Sequence, residues 1–328
     1  MISSRNPLES NYSESAVISY SQNQEDVVLF RLVDLVPEGF YVDVGAAHPV
    51  LDNVTYALYE AGWHGLNIEP MKREADLLKE IRPRDITCET AAGNGVGRVT
   101  LYAAPLENRG ATTADEEVVA KYTSTGQSFE AFEVGVLRLD QILQENNIAV
   151  VHILKIDVEG AERAVLEGAS ISKYRPWVLV IEATWPNSTV DVSSEWENLV
   201  LEAGYSQTLF DGLNKFYVRN DMPEIMKLMS TPANVFDRWR PFEIDVLSQQ
   251  AAALQKIISE MSEKFSEELS VRDLALHKAE EFASSLEGRA ERAEEYASSL
   301  EGRAERAEEY ALSLETRYSH NSKNDTSH

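Results

Sequence analysis

The chain has 328 residues and 43% hydrophobic residues, enough for one or two domains with a real core, which excludes a fully disordered protein. Its 55 acidic residues against 30 basic ones leave a net charge of −25, which repels phosphate backbones and disfavours nucleic acid and anionic membrane surfaces as general partners. The single cysteine, Cys88, supports neither an internal disulfide nor a cysteine-based zinc or iron–sulfur site, and fits a reducing compartment.

Residues 1–17 are polar, rich in Ser and Asn, and predicted flexible. They lack the apolar stretch of a secretory signal. No run reaches the roughly 18–20 apolar residues that cross a bilayer. The expectation is a cytoplasmic protein with no integral membrane segment. From 18 to 220, short β-branched runs alternate with helical patterns. Gly39–Val44 is a strand candidate, followed by a loop at Gly45–Pro49 and a helix over Val54–Ala61. Gly65–Ile68 is a second strand ending at Glu69-Pro70, and Lys72–Lys79 is helical. Asp85–Ala92 is predicted as a third strand, with a turn at Gly93–Gly95 and a strand over Arg98–Tyr102. The polar stretch Glu107–Phe132 is weakly patterned, as a substrate-binding or idle loop would be. Leu139–Glu145 is helical, His152–Ile156 a strand ending at Asp157, and Ala161–Glu167 a helix. Trp177–Ile181 is a strand and Ser194–Ala203 a helix. Tyr205–Phe210 and Asn214–Val218 form a hairpin around Asp211-Gly212. This order predicts an α/β fold: a doubly wound, mostly parallel sheet with an antiparallel C-terminal hairpin.

After a connecting segment at 221–242 the composition changes. Residues 243–318 are rich in Ala, Glu, Leu and Arg and predict a long helix, with a polar, disordered tail at 319–328. Glu281–Glu294 (EFASSLEGRAERAE) recurs almost unchanged as Glu295–Glu308, a 14-residue period. Its seam of Leu276, Ala279, Ala283, Leu286, Ala290, Ala293, Ala297, Leu300, Ala304, Ala307, Ala311 and Leu314 alternates spacings of three and four, the a/d pattern of a coiled coil. The pattern extends weakly upstream through Ile258. Residues 258–314 are thus the candidate surface for a homo-oligomer or a partner; a solitary charge-laced helix is the alternative.

In a parallel sheet, ligands bind beyond the carboxyl ends of the strands. Those ends carry Asp43 and the loop Gly45-Ala46-Ala47-His48, then Glu69-Pro70, then Ala92, then Asp157 and Glu159, then Glu182. A carboxylate such as Glu69 at the second strand end suits the two hydroxyls of a ribose. A dinucleotide-binding turn would need three glycines in G-x-G-x-x-G, whereas residues 45–50 read GAAHPV. An acidic turn with one glycine favours a cationic ligand without phosphate. S-adenosylmethionine, with its sulfonium and ammonium, fits that description better than NAD.

The strings SYSQNQEDVVL, FYVDVGAAHPV, NVTYALYEAGWHGLNIEP, LKIDVEGAERAVLEGA, RPWVLVIEATWP and FDGLNKFYV follow one another over residues 18–220. In that order they resemble the FkbM family of S-adenosylmethionine-dependent methyltransferases. The resemblance implies a class I methyltransferase fold over 18–220, with the long helix outside it. It also implies that Asp43, Gly45 and Ala46 form the first cofactor motif, with Ala47 where the family often has Asn, and that Glu69 binds the ribose. Asp157 and Glu159 match the family's strand-four signature. The implied acceptor is a hydroxyl of a sugar, a glycan precursor or another small molecule. Asp157, Glu159, Glu182 and His48 are the catalytic candidates, because a hydroxyl is a poor nucleophile and needs a base or a metal. The three carboxylates and His48 are hard ligands of the kind Mg²⁺ accepts, although no residue is assigned to a metal. The alternative role for Glu159 is a cap on the helix starting near Gly160, with Glu162 and Glu167 as solvated surface. His64 and His152 are expected to be structural, and Arg109, Lys155 and Arg175 are candidates for holding an anionic group of the substrate. A catalytically silent scaffold and, more remotely, an NAD-dependent oxidoreductase are the competing functions.

Overall fold

The computed structural model describes residues 16–103, 112–114, 116–124, 126, 128–186 and 188–324. The described residues contain twelve strands: β1 Val17–Ser19, β2 Phe40–Val44, β3 His64–Ile68, β4 Ile86–Cys88, β5 Ala91–Gly93, β6 Gly97–Ala103, β7 Glu130–Arg138, β8 Ile153–Ile156, β9 Val178–Glu182, β10 Tyr205–Phe210, β11 Asn214–Arg219 and β12 Trp239–Pro241. Seven of them form a central sheet in the order β10-β11-β9-β8-β2-β3-β4. β4, β3, β2, β8 and β9 run parallel, and β11 and β10 close one edge antiparallel.

Side chains alternate across this sheet, as a two-residue period requires. Val42, Val44, Leu66, Ile68, Leu154, Ile156, Leu179 and Ile181 enter one core beneath helices Leu139–Glu145, Glu162–Gly168 and Glu197–Glu202. Tyr41, Ile153, Val178, Val180, Phe216 and Val218 enter the other, against helices Glu25–Phe30, Tyr56–Glu60 and Pro223–Leu228. Each buried aliphatic side chain contributes about 1.5–3 kcal/mol. The two cores therefore fix the register of every central strand, because a one-residue slip would turn both faces over.

The predicted third strand, Asp85–Ala92, is corrected. It is two strands in two sheets: Ile86–Cys88 extends the central sheet, and the chain then leaves at Glu89-Thr90 so that Ala91–Gly93 pairs with β7. β5, β7 and β6 make a separate three-stranded sheet. β7 occupies the end of the segment expected to be a loop. Its alternating Phe132, Val134 and Val136 carry the strand signal within otherwise polar surroundings. The stretch 221–242 is more than a connector. Arg31 pairs with Asp237 at 2.8 Å and donates to the carbonyls of Leu228, Thr231 and Pro232. β12 also pairs with β1.

The SQ-x-x-ED opening proves structural. Asp26 is buried and accepts from the hydroxyls of Ser19 and Ser21 and the N–H groups of Tyr20 and Ser21. Glu25 accepts from Asn214 Nδ2 at 2.6 Å, and Asn23 Nδ2 donates to Asp211 O at 3.0 Å. The first motif of the domain is thereby bound to its last. His152 is structural as expected: its Nδ1 accepts from Phe40 N–H at 2.9 Å, and burial holds its pKa below the ordinary value.

By contact the chain divides into Met1–Leu247 and Ser248–His328. The second unit is formed by the helix Phe242–Asn324, which continues through the described part of the expected disordered tail. Among the described residues no helix is long and apolar enough to cross a membrane. Residues 1–15, Arg109 and the last four residues lie outside the described residues.

A buried polar network lies behind β2 and β3. Arg82, with no solvent exposure, donates to Asn53 Oδ1, Thr55 Oγ1 and Asn67 Oδ1 at 3.0–3.2 Å and lies 3.9 Å from Asp85. The rings of Tyr41, Tyr56 and Tyr59 surround its guanidinium. Removing one member of such a set leaves the others unpaired in a dry site. Arg82→Ala should therefore cost about 3–5 kcal/mol in urea unfolding. Lys79→Ala, on the exposed side of the helix Lys72–Ile81 that ends just before Arg82, should stay within about 0.5 kcal/mol.

Candidate active site

β2 and β8 lie side by side where the strand order reverses, so their carboxyl ends open onto one crevice. Directly after β2 the chain turns at Gly45. Its φ is +76°, and a Cβ there would stand 1.9 Å from Asp157 O. Only glycine allows both the turn and the contact.

The loop that follows is held on every side. Gly45 and Ala46 donate their N–H groups to Ile68 O at 3.0 and 3.3 Å. Asn53 Nδ2 donates to Ala46 O and His48 O at 3.0 and 3.1 Å. Ala47 sits at φ +48°, a left-handed conformation that Asn tolerates better than Ala. Its N–H donates to Glu69 Oε2 at 2.8 Å, and Met71 N–H donates to Glu69 Oε1 at the same distance. Each Glu69 oxygen keeps a further lone pair. Burial pushes the Glu69 carboxyl up to about 7 despite these two N–H donors.

Asp43, expected in the cofactor motif, does not line the cavity. It faces Lys155, its register partner on β8, at 3.2 Å, and accepts from Thr55 Oγ1 at 2.8 Å. Thr55 is in turn bound by Arg82, so the network behind β2 and β3 ends on Asp43. Lys155, a candidate for holding an anionic group of the substrate, is likewise committed to the protein. It pairs with Asp43, lies 3.3 Å from Asp157 and donates to Gly45 O at 2.8 Å. Burial alone would lower its pKa. The charges of Asp157 and Asp43 override burial and hold it above the ordinary lysine value.

Asp157, Glu159 and Glu182 each bring one carboxylate oxygen within 4.8 Å of the others. They come from the ends of β8 and β9 and the loop between β8 and the next helix. Glu159 is at φ +52°, next to Gly160 at +104°, and Thr113 Oγ1 donates to its carbonyl at 2.6 Å. The capping role considered for Glu159 is not found, because no side chain caps this helix; Glu162 Oε1 instead accepts from the loop N–H groups of Val158 and Gly160 at 3.1 and 3.2 Å. Glu162 is buried and not solvated surface. Glu159 is thus left facing the cavity, with one buried oxygen unpaired among the described residues. Burial, then the charge of Asp157, then that of Glu162 raise its pKa well above the carboxylate range. Burial, Asp157 and Glu159 do the same for Glu182, which shares a hydrogen bond with Asp157. Asp157 is the member of the trio that lies against the Lys155 ammonium, at 3.3 Å.

His48 lines the same cavity but does not join the trio. Its Nδ1 accepts from Val50 and Leu51 N–H at 3.1 and 2.9 Å, which turns the ring toward its own loop. Of the four hard ligands noted in the sequence, the structure brings the three carboxylates together and leaves His48 apart. Arg175, the other described candidate for an anionic group, pairs with Asp221 away from the cavity.

The cavity measures about 1360 Å³. Gly45, Ala46, Ala47, Glu69, Pro70 and Ala92 line one part and the carboxylate trio another. The third part was not expected. Val99 and Leu101 of β6, paired with Val134 and Phe132 of β7, present an apolar wall together with Val136. A typical small-molecule pocket is about 300–1,000 Å³, so this one has room for two ligands side by side.

The model of the methyltransferase FkbM domain matches residues 43–206. Among solved structures, the chain is similar to methyltransferase FkbM from Methylobacillus flagellatus KT, at 18% identity and a TM-score of 0.34, over 55% of this chain and 43% of that one. It is also similar to a TehB-like SAM-dependent methyltransferase from Corynebacterium glutamicum ATCC 13032 Kitasato, at 10% identity and a TM-score of 0.32, over 60% and 87%. The chain spans less than half the length of the first, and TM-scores this low add nothing to the family match. No curated protein matches the chain.

Gly45→Ala should destabilise the protein by at least roughly 2 kcal/mol, through the left-handed backbone and the overlap with Asp157 O. Chemical denaturation measures this. Wild-type stability in Gly45→Ala would show that the loop is not tied to β8 as described.

Proposed function

The chain belongs to the FkbM methyltransferase family, and we propose that it transfers a methyl group from S-adenosylmethionine to a hydroxyl of a sugar or glycan precursor. The observation that carries the reading is a single cavity in which a buried, ribose-suited carboxylate and a cluster of three further carboxyls face an apolar wall. The residues fit the cofactor. Glu69 keeps acceptor capacity for two ribose hydroxyls. The small loop Gly45-Ala46-Ala47 lets the backbone come close, and the acidic surroundings suit a sulfonium and an ammonium. A pyrophosphate would meet carboxylates and a lysine already paired twice, which disfavours NAD.

S-adenosylmethionine, when bound, supplies an electrophilic methyl group whose transfer needs an in-line nucleophile. The protein's own part is alignment and proton removal, and alignment alone is worth several kcal/mol. Asp157, held against the Lys155 ammonium, accepts the proton of the acceptor hydroxyl. Glu182, neutral and hydrogen-bonded to Asp157, orients that carboxylate. Glu159 stays neutral at pH 7 and donates to the acceptor through its otherwise unpaired edge. The apolar wall of Val99, Leu101, Phe132 and Val134 receives the acceptor, so an acceptor with an apolar face beside its reactive hydroxyl is favoured. The long helix adds an oligomerising or partner-docking role. The three carboxyls would accommodate Mg²⁺ only in their ionised form, and no relative speaks for the metal.

Calorimetric titration with S-adenosylhomocysteine should show micromolar binding that is lost in Glu69→Ala, with NAD as the inert control. Folded protein that ignores S-adenosylhomocysteine would end this reading. The affinity should also depend on pH. Ribose hydroxyls donate to ionised Glu69, so binding below its pKa of about 7 must expel a proton. Affinity should rise by up to about tenfold per unit from pH 5.5 to 7 and then level off, and Glu69→Gln should remove this slope. Asp157→Asn should keep S-adenosylhomocysteine affinity within about threefold and lower methyl transfer about 100-fold or more, read as labelled methyl incorporated into a panel of glycosides.

A further inference from the structure

The repeat-bearing helix carries charges that its own chain leaves without partners of opposite sign. Lettered from Ala283 as a, every e position is acidic: Glu280, Glu287, Glu294, Glu301 and Glu308. The g positions alternate aromatic and basic: Phe282, Arg289, Tyr296, Arg303 and Tyr310. On one helix, side chains meet at spacings of three and four. At those spacings Arg289 finds Ser285, Leu286, Arg292 and Ala293, and Arg303 finds Ser299, Leu300, Arg306 and Ala307. Glu294 finds Ala290, Glu291, Ala297 and Ser298, with no basic residue among them. Like charges stand four apart at Glu287/Glu291, Glu291/Glu295, Glu301/Glu305 and Glu305/Glu309.

A helix meant to stand alone needs the opposite pattern, acids four residues ahead of bases. This one adds Gly288 and Gly302, each costing about 1 kcal/mol in a helix interior. Its seam is bare as well: Leu276, Leu286 and Leu300 are 61%, 44% and 42% exposed, and Phe282, Tyr296 and Tyr310 about two-thirds. Both deficits are repaired by the same partner.

We infer that the partner is a second copy of this chain, aligned parallel and in register along residues 276–310. In that arrangement g faces the e position five residues on in the other chain. Arg289 meets Glu294 and Arg303 meets Glu308, and the two-fold axis makes each pair twice. The seam of Leu and Ala is covered in the same step. An antiparallel pair would set the all-glutamate e column against itself, which is repulsive along its whole length. This deepens the association role proposed for the helix and does not depend on methyl transfer. Binding of S-adenosylhomocysteine, measured on the same preparations, keeps the two readings separate.

The test uses the full chain in a Cys88→Ser background. Sedimentation equilibrium should give twice the 36.7 kDa chain mass. Leu286→Cys and Leu300→Cys, made separately, should each give a covalent dimer with oxidised glutathione, because an in-register parallel pair places every seam residue opposite itself. Arg289→Glu with Arg303→Glu should weaken self-association at least roughly tenfold. Mixing that variant with Glu294→Arg/Glu308→Arg chains should restore it as a mixed dimer. A single-chain or three-chain mass overturns the proposal. So do cross-linking between Leu286→Cys and Leu300→Cys chains in preference to either alone, and a charge-reversed variant that associates like the wild type.

Discussion

A buried cross-strand ion pair sits at the centre of the molecule. Lys155 and Asp43 face each other on neighbouring strands at the point where the sheet order reverses. Two opposite charges in a dry interior are expensive, and further partners on both sides offset part of that cost. Asp43 is tied through Thr55 to the Arg82 network, and Lys155 reaches both Gly45 O and Asp157. One ammonium therefore positions the turn after β2 and the first carboxyl after β8. The cavity between those two strand ends inherits its shape from that contact. Its electrostatics follow too: burial and the neighbouring carboxyls push the pKa of Glu159 and Glu182 well above the carboxylate range.

The central sheet was largely legible in the sequence, because β-branched runs at strand length and helical periods between them are local signals. The order of elements and the hairpin follow from them. The second sheet was not legible in the same way. Its strands are only partly buried, and the chain passes from one sheet to the other within two residues, at Glu89-Thr90. Nothing local marks that departure. β7 did carry an alternating pattern, masked by the polar segment before it.

In the site, the residues that end the strands were found by position, and all but Asp43 line the cavity. Asp43 was misplaced because a strand-end carboxylate looks the same in sequence whether it meets a ligand or a lysine. The spacing of Lys155 and Asp157, two apart on one strand, put both on one face and was the available clue. Glu162, considered as solvated surface, is buried for a geometric reason. It opens the helix, and its carboxylate folds back onto Val158 N–H and Gly160 N–H of the preceding loop.

Between β4 and β8, strands β5, β6 and β7 leave the central sheet for one of their own, and they carry the apolar wall. The loops after β2 and β3 line the part opposite, and Ala92 of β5 is where the two stretches of chain meet. Substitution at Val99, Leu101, Phe132 or Val134 therefore reshapes the wall while the ion pair and glycine turn stay under their own packing constraints. The cavity combines a fixed socket with an exchangeable side.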